Sequence, residues 1–385
     1  MITYTTGNTK NFVCNSDENC YCCKSWGVFI SEKSMKDILS DKINFPEYSS
    51  SDEFCSVVNN LNPIYHALLK MKDGKCIFLD KTDKCKLFNI FGKENGNPLC
   101  LSFPFLRVKL KDRYCIVSSL TCPQISKEIF SENNLVIEEL QESEIHNKWP
   151  TIILDTNEYV CFSQISNTYM TWDAFHYLEN SLINNATYSS KTALWDTLYQ
   201  LALINNKLMN LSNSIVDCQY VENVLREISN KKVSYSESTE CILFFLERKN
   251  NLYKNTPFKR ISEEILNNEN LFPNIQNGGL FREYLKSFDS VLKKLFILKL
   301  FSNPSNFLVS VQFSWHVLLF YFSFLKLMLY SKWLANKTLT NADITQAIQT
   351  IERHFIHDPK VFQFWGQGKR GKNDFSPDSL FKFII

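Results

Sequence analysis

An excess of charge is missing from this sequence: 42 Lys and Arg stand against 40 Asp and Glu, a net of +2 at pH 7. That balance offers nothing to a polyanion, and nucleic acid is excluded as a charge-driven partner. The first eight residues, Met1 to Asn8, lack the basic and apolar regions of a secretory signal, which predicts a cytoplasmic protein. No internal repeat is visible. The lone G-x-G, Gly366-Gln367-Gly368, has no strand-to-helix unit around it, so a Rossmann-type nucleotide site is not expected. Neither a pair of Cys-x2-Cys zinc knuckles nor the Cys-x2-Cys-x2-Cys run of small ferredoxins occurs.

Cysteine itself is plentiful and unevenly placed. Ten of the 13 lie between Cys14 and Cys122, four of them within ten residues. In a reducing compartment thiols are not stably paired, so such a cluster points to metal rather than to disulfides. The ligand candidates are Cys14, Cys20, Cys22, Cys23, Cys76, Cys85, Cys100 and Cys122, with Cys115 close by. Thiolates must converge to about 2.3 Å from a zinc ion. Turn signals near several of them, Asp73-Gly74 and Gly96-Asn97-Pro98 among them, allow such convergence. Side chains of adjacent Cys22 and Cys23 point to opposite faces of an extended segment, so one ligates while the other packs or serves a second metal. An iron-sulfur cluster and zinc both satisfy this pattern. Cys55, Cys161, Cys218 and Cys241 are isolated and read as buried hydrophobes.

At 385 residues the chain exceeds one ordinary core. The expected fold is mainly α: a small Cys-rich, metal-stapled module over 1–130, followed by a helical bundle over 131–385. Helices are predicted over Ser31 to Leu39, with Ser31 as cap, and over Gln124 to Phe130. Spacings of three and four continue through Ala174 to Ile183, Ala193 to Leu211 and Leu280 to Phe301, and a capped helix starts at Thr340 or Asn341. Phe307 to Leu325 runs nineteen residues without a formal charge, long enough to cross a bilayer. Ser310, Gln312, Ser314, His316 and Ser323 interrupt it and Lys326 follows, so it is expected to be a core helix.

Phe12-Val13-Cys14 followed by Cys22-Cys23-Lys24-Ser25-Trp26-Gly27 resembles the opening of the flagellin lysine-N-methylase family. The resemblance continues through Cys76-Ile77-Phe78-Leu79, Asp83-Lys84-Cys85, Gly92, Pro98-Leu99-Cys100-Leu101-Ser102-Phe103-Pro104 and Ser118 to Cys122-Pro123. It is looser at Phe281-Arg282-Glu283-Tyr284-Leu285 and at Arg353-His354 to His357. Phe105 stands where an Arg is common, Cys20 is displaced by a position, and Cys115 is extra. The resemblance implies methyl transfer from S-adenosylmethionine to lysines of a protein such as flagellin. It also implies cysteines that hold an iron-sulfur cluster, with 4Fe-4S favoured over zinc. The Cys-x3-Cys-x2-Cys loop of radical S-adenosylmethionine enzymes is absent, and no catalytic base or donor site can be singled out. The alternative is a non-catalytic protein-interaction module stapled by zinc or a cluster.

Overall fold

The computed structural model of the chain describes residues 2–7, 23–24, 28–41, 43–57, 66–91, 103–132, 135–141, 151–153, 157–188, 193–229, 275–301 and 310–352. Contacts divide the chain into two units, Met1–Ser126 with Ile137–Ile153, and Lys127–Val136 with Leu154–Ile385.

The first unit carries strands β1 (Ile2–Thr6), β2 (Phe29–Ile30), β3 (Cys55–Val57), β4 (Ala67–Leu69), β5 (Met71–Lys72) and β6 (Lys75–Cys76). They are followed by β7 (Phe105–Lys109), β8 (Arg113–Ser118), β9 (Ile137–Leu140) and β10 (Thr151–Ile153). A five-stranded sheet runs β10-β7-β8-β1-β9, with β1 parallel to β8 and antiparallel to β9. A second sheet runs β2-β4-β3, and β5 and β6 form a hairpin. The hairpin turn is Asp73-Gly74, both left-handed at φ 53° and 74°, as a tight turn matched to strand twist requires. Among the helices of this unit, α1 (Glu32–Ser40) starts where expected, with Ser31 Oγ accepting from Ser34 N at 3.1 Å. Helices α2 (Lys86–Phe91) and α3 (Pro123–Glu128) are short, six residues each.

Around the β2-β4-β3 sheet lies a core of Ile30, Ile38, Phe45, Phe54, Leu69 and Phe78. Phe78 meets Phe45 edge-on at 5.8 Å, Tyr48 at 5.7 Å and Phe54 at 5.7 Å. Burying one such ring stabilises by roughly 1.5–3 kcal/mol.

Two expectations are corrected here. Among the described residues about 56% are helical and 18% lie in strands of four small sheets, so the fold is mixed α/β and not mainly α. Nor is a Cys-rich, metal-stapled module found: among the described residues no three Cys, His, Asp or Glu side chains are placed to hold a metal. The physical reason is the same for both. Segments that read as turn-rich connections carry short runs of β-branched and aromatic residues that pair as strands, and the unit buries enough aromatic surface to make an ordinary core.

The second unit packs α4 (Trp172–Tyr188), α5 (Leu194–Met209), α6 (Cys218–Ser229), α7 (Ile275–Leu285), α8 (Asp289–Phe301), α9 (Val311–Asn336) and α10 (Asn341–Ile351). A small sheet of β11 (Val160–Ser163), β12 (Thr168–Met170) and β13 (Ile215–Val216) joins them, with β11 antiparallel and β13 parallel to β12. Helix α9 is buried around its whole circumference, the mark of a central helix. It is long and apolar enough to cross a membrane, and 72% of its most apolar window is buried inside the protein, as a core helix requires.

Helix α10 begins with a reciprocal cap. Asp343 N donates to Thr340 Oγ1 at 3.2 Å, while Asp343 Oδ2 accepts from Thr340 N at 2.9 Å and from Thr340 Oγ1 at 2.7 Å. With Lys332 also at 2.9 Å, the Thr340 hydroxyl and backbone bonds hold the Asp343 carboxyl down to about 2. A depressed carboxyl favours the folded state above its unfolded pKa of about 3.9, and that contribution drains away as pH falls toward the folded value. Asp343→Asn is therefore expected to be less stable at neutral pH and to flatten acid unfolding between those two limits, followed by far-ultraviolet circular dichroism. An unchanged acid profile would refute the assignment.

Candidate functional site

The cysteines of the first unit are positioned by backbone bridges. Lys24 pairs with Lys75 and Leu79 with Cys85 as isolated antiparallel bridges. The first sets Cys23 beside β6 and Cys76, and the second closes the loop that ends at Cys85. Cys76 is buried in the aromatic core, and Cys23 and Cys85 are half-buried and packed against it. Thus three of the eight predicted ligands gather on one core.

The loop before Cys85 is built on Asp80. Its Oδ1 accepts from Thr82 N at 2.7 Å, Thr82 Oγ1 at 2.8 Å and Lys84 N at 3.0 Å. These bonds, the Lys84 and Thr82 ones first, hold the Asp80 carboxyl below the usual range. Asp83 follows in a left-handed conformation, φ 61°, and its carboxylate bridges Lys24 and Lys75, each at 2.7 Å. The same two lysines hold it below the usual carboxylate range. Asp83 therefore ties the segment of Cys23 to the strand of Cys76 from outside the core.

Cys122 lies elsewhere in the unit, buried at the turn into α3, where Ser126 N donates to its carbonyl at 3.0 Å. Cys14, Cys20, Cys22 and Cys100 fall outside the described residues, as do Gly366, His354 and His357. Cys115 is buried in the middle of β8, and Cys55 in β3, where burial pushes its thiol up. Cys161 is half-buried on β11. Cys218 is exposed at the start of α6 rather than in the core.

Sequence reasoning passed over several polar groups inside the second unit. His316 on α9 is 5% exposed, and burial drives its imidazole pKa down to about 3. Its Nε2 lies 2.8 Å from Asn205 Nδ2 on α5. One turn before, Gln312 Nε2 donates to Met209 Sδ at 3.0 Å. Lys299 Nζ pairs with the buried Glu352 carboxylate at 2.9 Å and stands 5.0 Å over the Tyr321 ring. Lys326 Nζ stands 4.9 Å over Trp195, and burial with Arg282 nearby lowers its pKa to about 8. The available signal was a handful of polar residues in an otherwise apolar helix, which reads as interruption rather than as a partner set.

No protein-family model matches the chain, and no solved structure matches it. It is similar to the lysine-N-methylases of Salmonella typhimurium and Salmonella choleraesuis, at 23% identity over 179 residues in each case. The matched stretch is 46% of this chain and spans 40% of the length of those proteins, less than half. It is also similar to the flagellar biosynthetic protein FliU of Salmonella muenchen, 23% identical over 112 residues, which are 29% of this chain and 66% of that protein. The chain is thus a distant relative of proteins named for lysine methylation and for flagellar biosynthesis.

Proposed function

We propose that the protein transfers a methyl group from S-adenosylmethionine to lysine side chains of a flagellar protein, with flagellin as the substrate. The similarity to lysine-N-methylases carries this reading. In the reaction the lysine amine attacks the sulfonium methyl; the new N–C bond forms as the S–C bond breaks, S-adenosylhomocysteine leaves, and the amine proton passes to a base. The amine must be neutral when it attacks, so the acceptor has to lose a proton on binding. The reading belongs in the cytoplasm, where thiols stay reduced.

The same proposal includes an iron-sulfur cluster, 4Fe-4S in preference to zinc, as a cofactor on a unit that has its own apolar core. Cys23, Cys76 and Cys85 share that core and are candidate thiolates for the cluster, although these three side chains as placed do not converge on a metal position. Cys14, Cys20, Cys22, Cys100 and Cys122 complete the candidate set. When bound, such a cluster supplies redox or structural stability if all its irons carry thiolates, and a Lewis-acidic iron if one position stays open.

The test is metal and sulfide analysis on protein purified without oxygen, together with transfer of labelled methyl groups to flagellin. About four irons and four sulfides per chain are expected for the proposed cluster. Cys23→Ala and Cys100→Ala should lose metal, while Cys218→Ala, exposed on α6, should keep it. Equal metal in all three variants overturns the ligand assignment, and zinc without sulfide overturns the cluster. Absence of methyl transfer by metal-replete protein overturns the activity.

A further inference from the structure

The even charge balance of the whole chain conceals one basic stretch. From Lys70 to Lys86 six lysines stand against three aspartates, a local net of +3 in a chain whose total is +2. Register gathers those charges further. Lys72 on β5 lies directly opposite Lys75 on β6, and Lys75 in turn lies opposite Lys24 through the isolated bridge. Residues directly opposite in an antiparallel ladder share a face, so the three lysines form one row across three segments. Lys70, two residues before Lys72, falls on the same face.

This face is open to solvent. Lys70, Lys72 and Lys75 are exposed and Lys24 is half-buried, while the alternate residues Met71 and Cys76 belong to the aromatic core. Like charges placed directly opposite destabilise a sheet, and proteins keep such local conflicts chiefly at functional places. One carboxylate relieves part of this one. Asp83 Oδ1 accepts from Lys75 Nζ and Oδ2 from Lys24 Nζ, each at 2.7 Å. Lys70 Nζ donates to the Asp52 carbonyl. Among the described residues no carboxylate pairs with Lys72. Lys81 and Lys84, both exposed, add two cations to the loop that carries Asp83.

Asp83 displays the chemistry that the row takes, a carboxylate with one oxygen on each of two ammonium groups. Lys70 and Lys72 repeat every second residue, about 6.8 Å, the repeat at which another extended chain presents alternate side chains. The one aromatic residue from Lys70 to Lys86, Phe78, is buried, so no ring is offered for a base to stack on, and a peptide is favoured over single-stranded nucleic acid.

We infer that the face carrying Lys24, Lys70, Lys72 and Lys75 docks an extended acidic segment of a partner protein, whose carboxylates pair with Lys70 and Lys72 as Asp83 pairs with Lys24 and Lys75. The ligand class is read from Asp83 and from the strand repeat, so the inference goes beyond the methyl-transfer reading and does not rest on it.

The test uses the full chain and contains no methyl donor, so failure of the transfer reading leaves it untouched. The probes are rhodamine-labelled octapeptide amides, one alternating Glu with Ser and one alternating Gln with Ser, and a labelled thymidine pentanucleotide that carries the same number of charges as the first. Fluorescence anisotropy reads binding. The Glu peptide should bind, and more weakly as salt rises from about 0.05 to about 0.3 M, because exposed ion pairs are screened. The Gln peptide and the pentanucleotide should both bind more weakly than it at the lower salt. Lys70→Gln and Lys72→Gln should each weaken the Glu peptide about two- to fivefold, the worth of one exposed ion pair. Lys33→Gln makes the same change of charge at an exposed position on α1 and should leave affinity as it was. Equal binding of the Gln peptide or of the pentanucleotide overturns the inference. So does a Glu peptide that fails to bind, a Lys72→Gln protein that binds it like the wild type, or a loss in Lys33→Gln as large as that in Lys72→Gln.

Discussion

Lowering the pH from about 7.5 to about 5 should remove roughly 2 kcal/mol of stability through His316 alone. The imidazole is buried on α9 with a folded pKa near about 3, whereas an unfolded histidine titrates near about 6.5. Between those values the unfolded chain binds a proton that the folded chain refuses. Stability therefore falls as pH drops below the unfolded pKa and stops falling through this group at the folded one. At about pH 5 the gap is about 1.5 pH units, at 1.36 kcal/mol each. Replacing the imidazole by an amide, His316→Gln, keeps a hydrogen-bonding group opposite Asn205 and removes the titration. Urea unfolding at both pH values is the measurement. The wild type should lose the stated increment, while His316→Gln should be weaker at the higher pH and show that much less dependence on it. Equal pH dependence in the two proteins would remove His316 as the cause.

A second large effect is expected at the Lys299–Glu352 pair. Glu352 is 2% exposed, its carboxylate lies 2.9 Å from Lys299 Nζ, and that ammonium also stands over Tyr321, itself fully buried. Burial, reinforced by Glu352, pushes the Tyr321 phenol well above its usual range, so it stays protonated. Lys299→Met removes the cation and leaves a carboxylate in an apolar interior, a change that costs about 3–5 kcal/mol. The double variant Lys299→Met/Glu352→Gln removes both charges and should recover much of that loss, because the unpaired buried charge is what destabilises. Chemical denaturation of the single and double variants separates these outcomes. A Lys299→Met protein within about 1 kcal/mol of wild type would mean that water already reaches Glu352.

These groups were visible in the sequence as letters but not as partners. His316 and Asn205 lie 111 residues apart, and Lys299 and Glu352 lie 53 apart. Nothing local marks either pair. The first unit repeats the point: β1 pairs in parallel with β8, joining Ile2 to Arg113, and no pattern within either segment announces the other. Short strands such as Ala67–Leu69, three apolar residues in a row, are too short for a strand pattern to stand out. The gathering of Cys23, Cys76 and Cys85 likewise depends on two bridges between separate stretches. The spacing of the cysteines along the chain does not contain it.

What the sequence determined by itself is short-range. The caps at Ser31 and Thr340, the periodic helices Trp172–Tyr188, Leu194–Met209 and Asn341–Ile351, and the burial of the uncharged run in Val311–Asn336 all follow from side-chain bonds within one turn or from spacing along one face. Only the tertiary structure decided that the N-terminal unit is built from sheets around an aromatic core, which thiols share that core, and which buried charges meet. Those outcomes are sums over contacts between distant segments, where a strand gains its hydrogen bonds and a buried ion its partner only once the rest of the chain is in place.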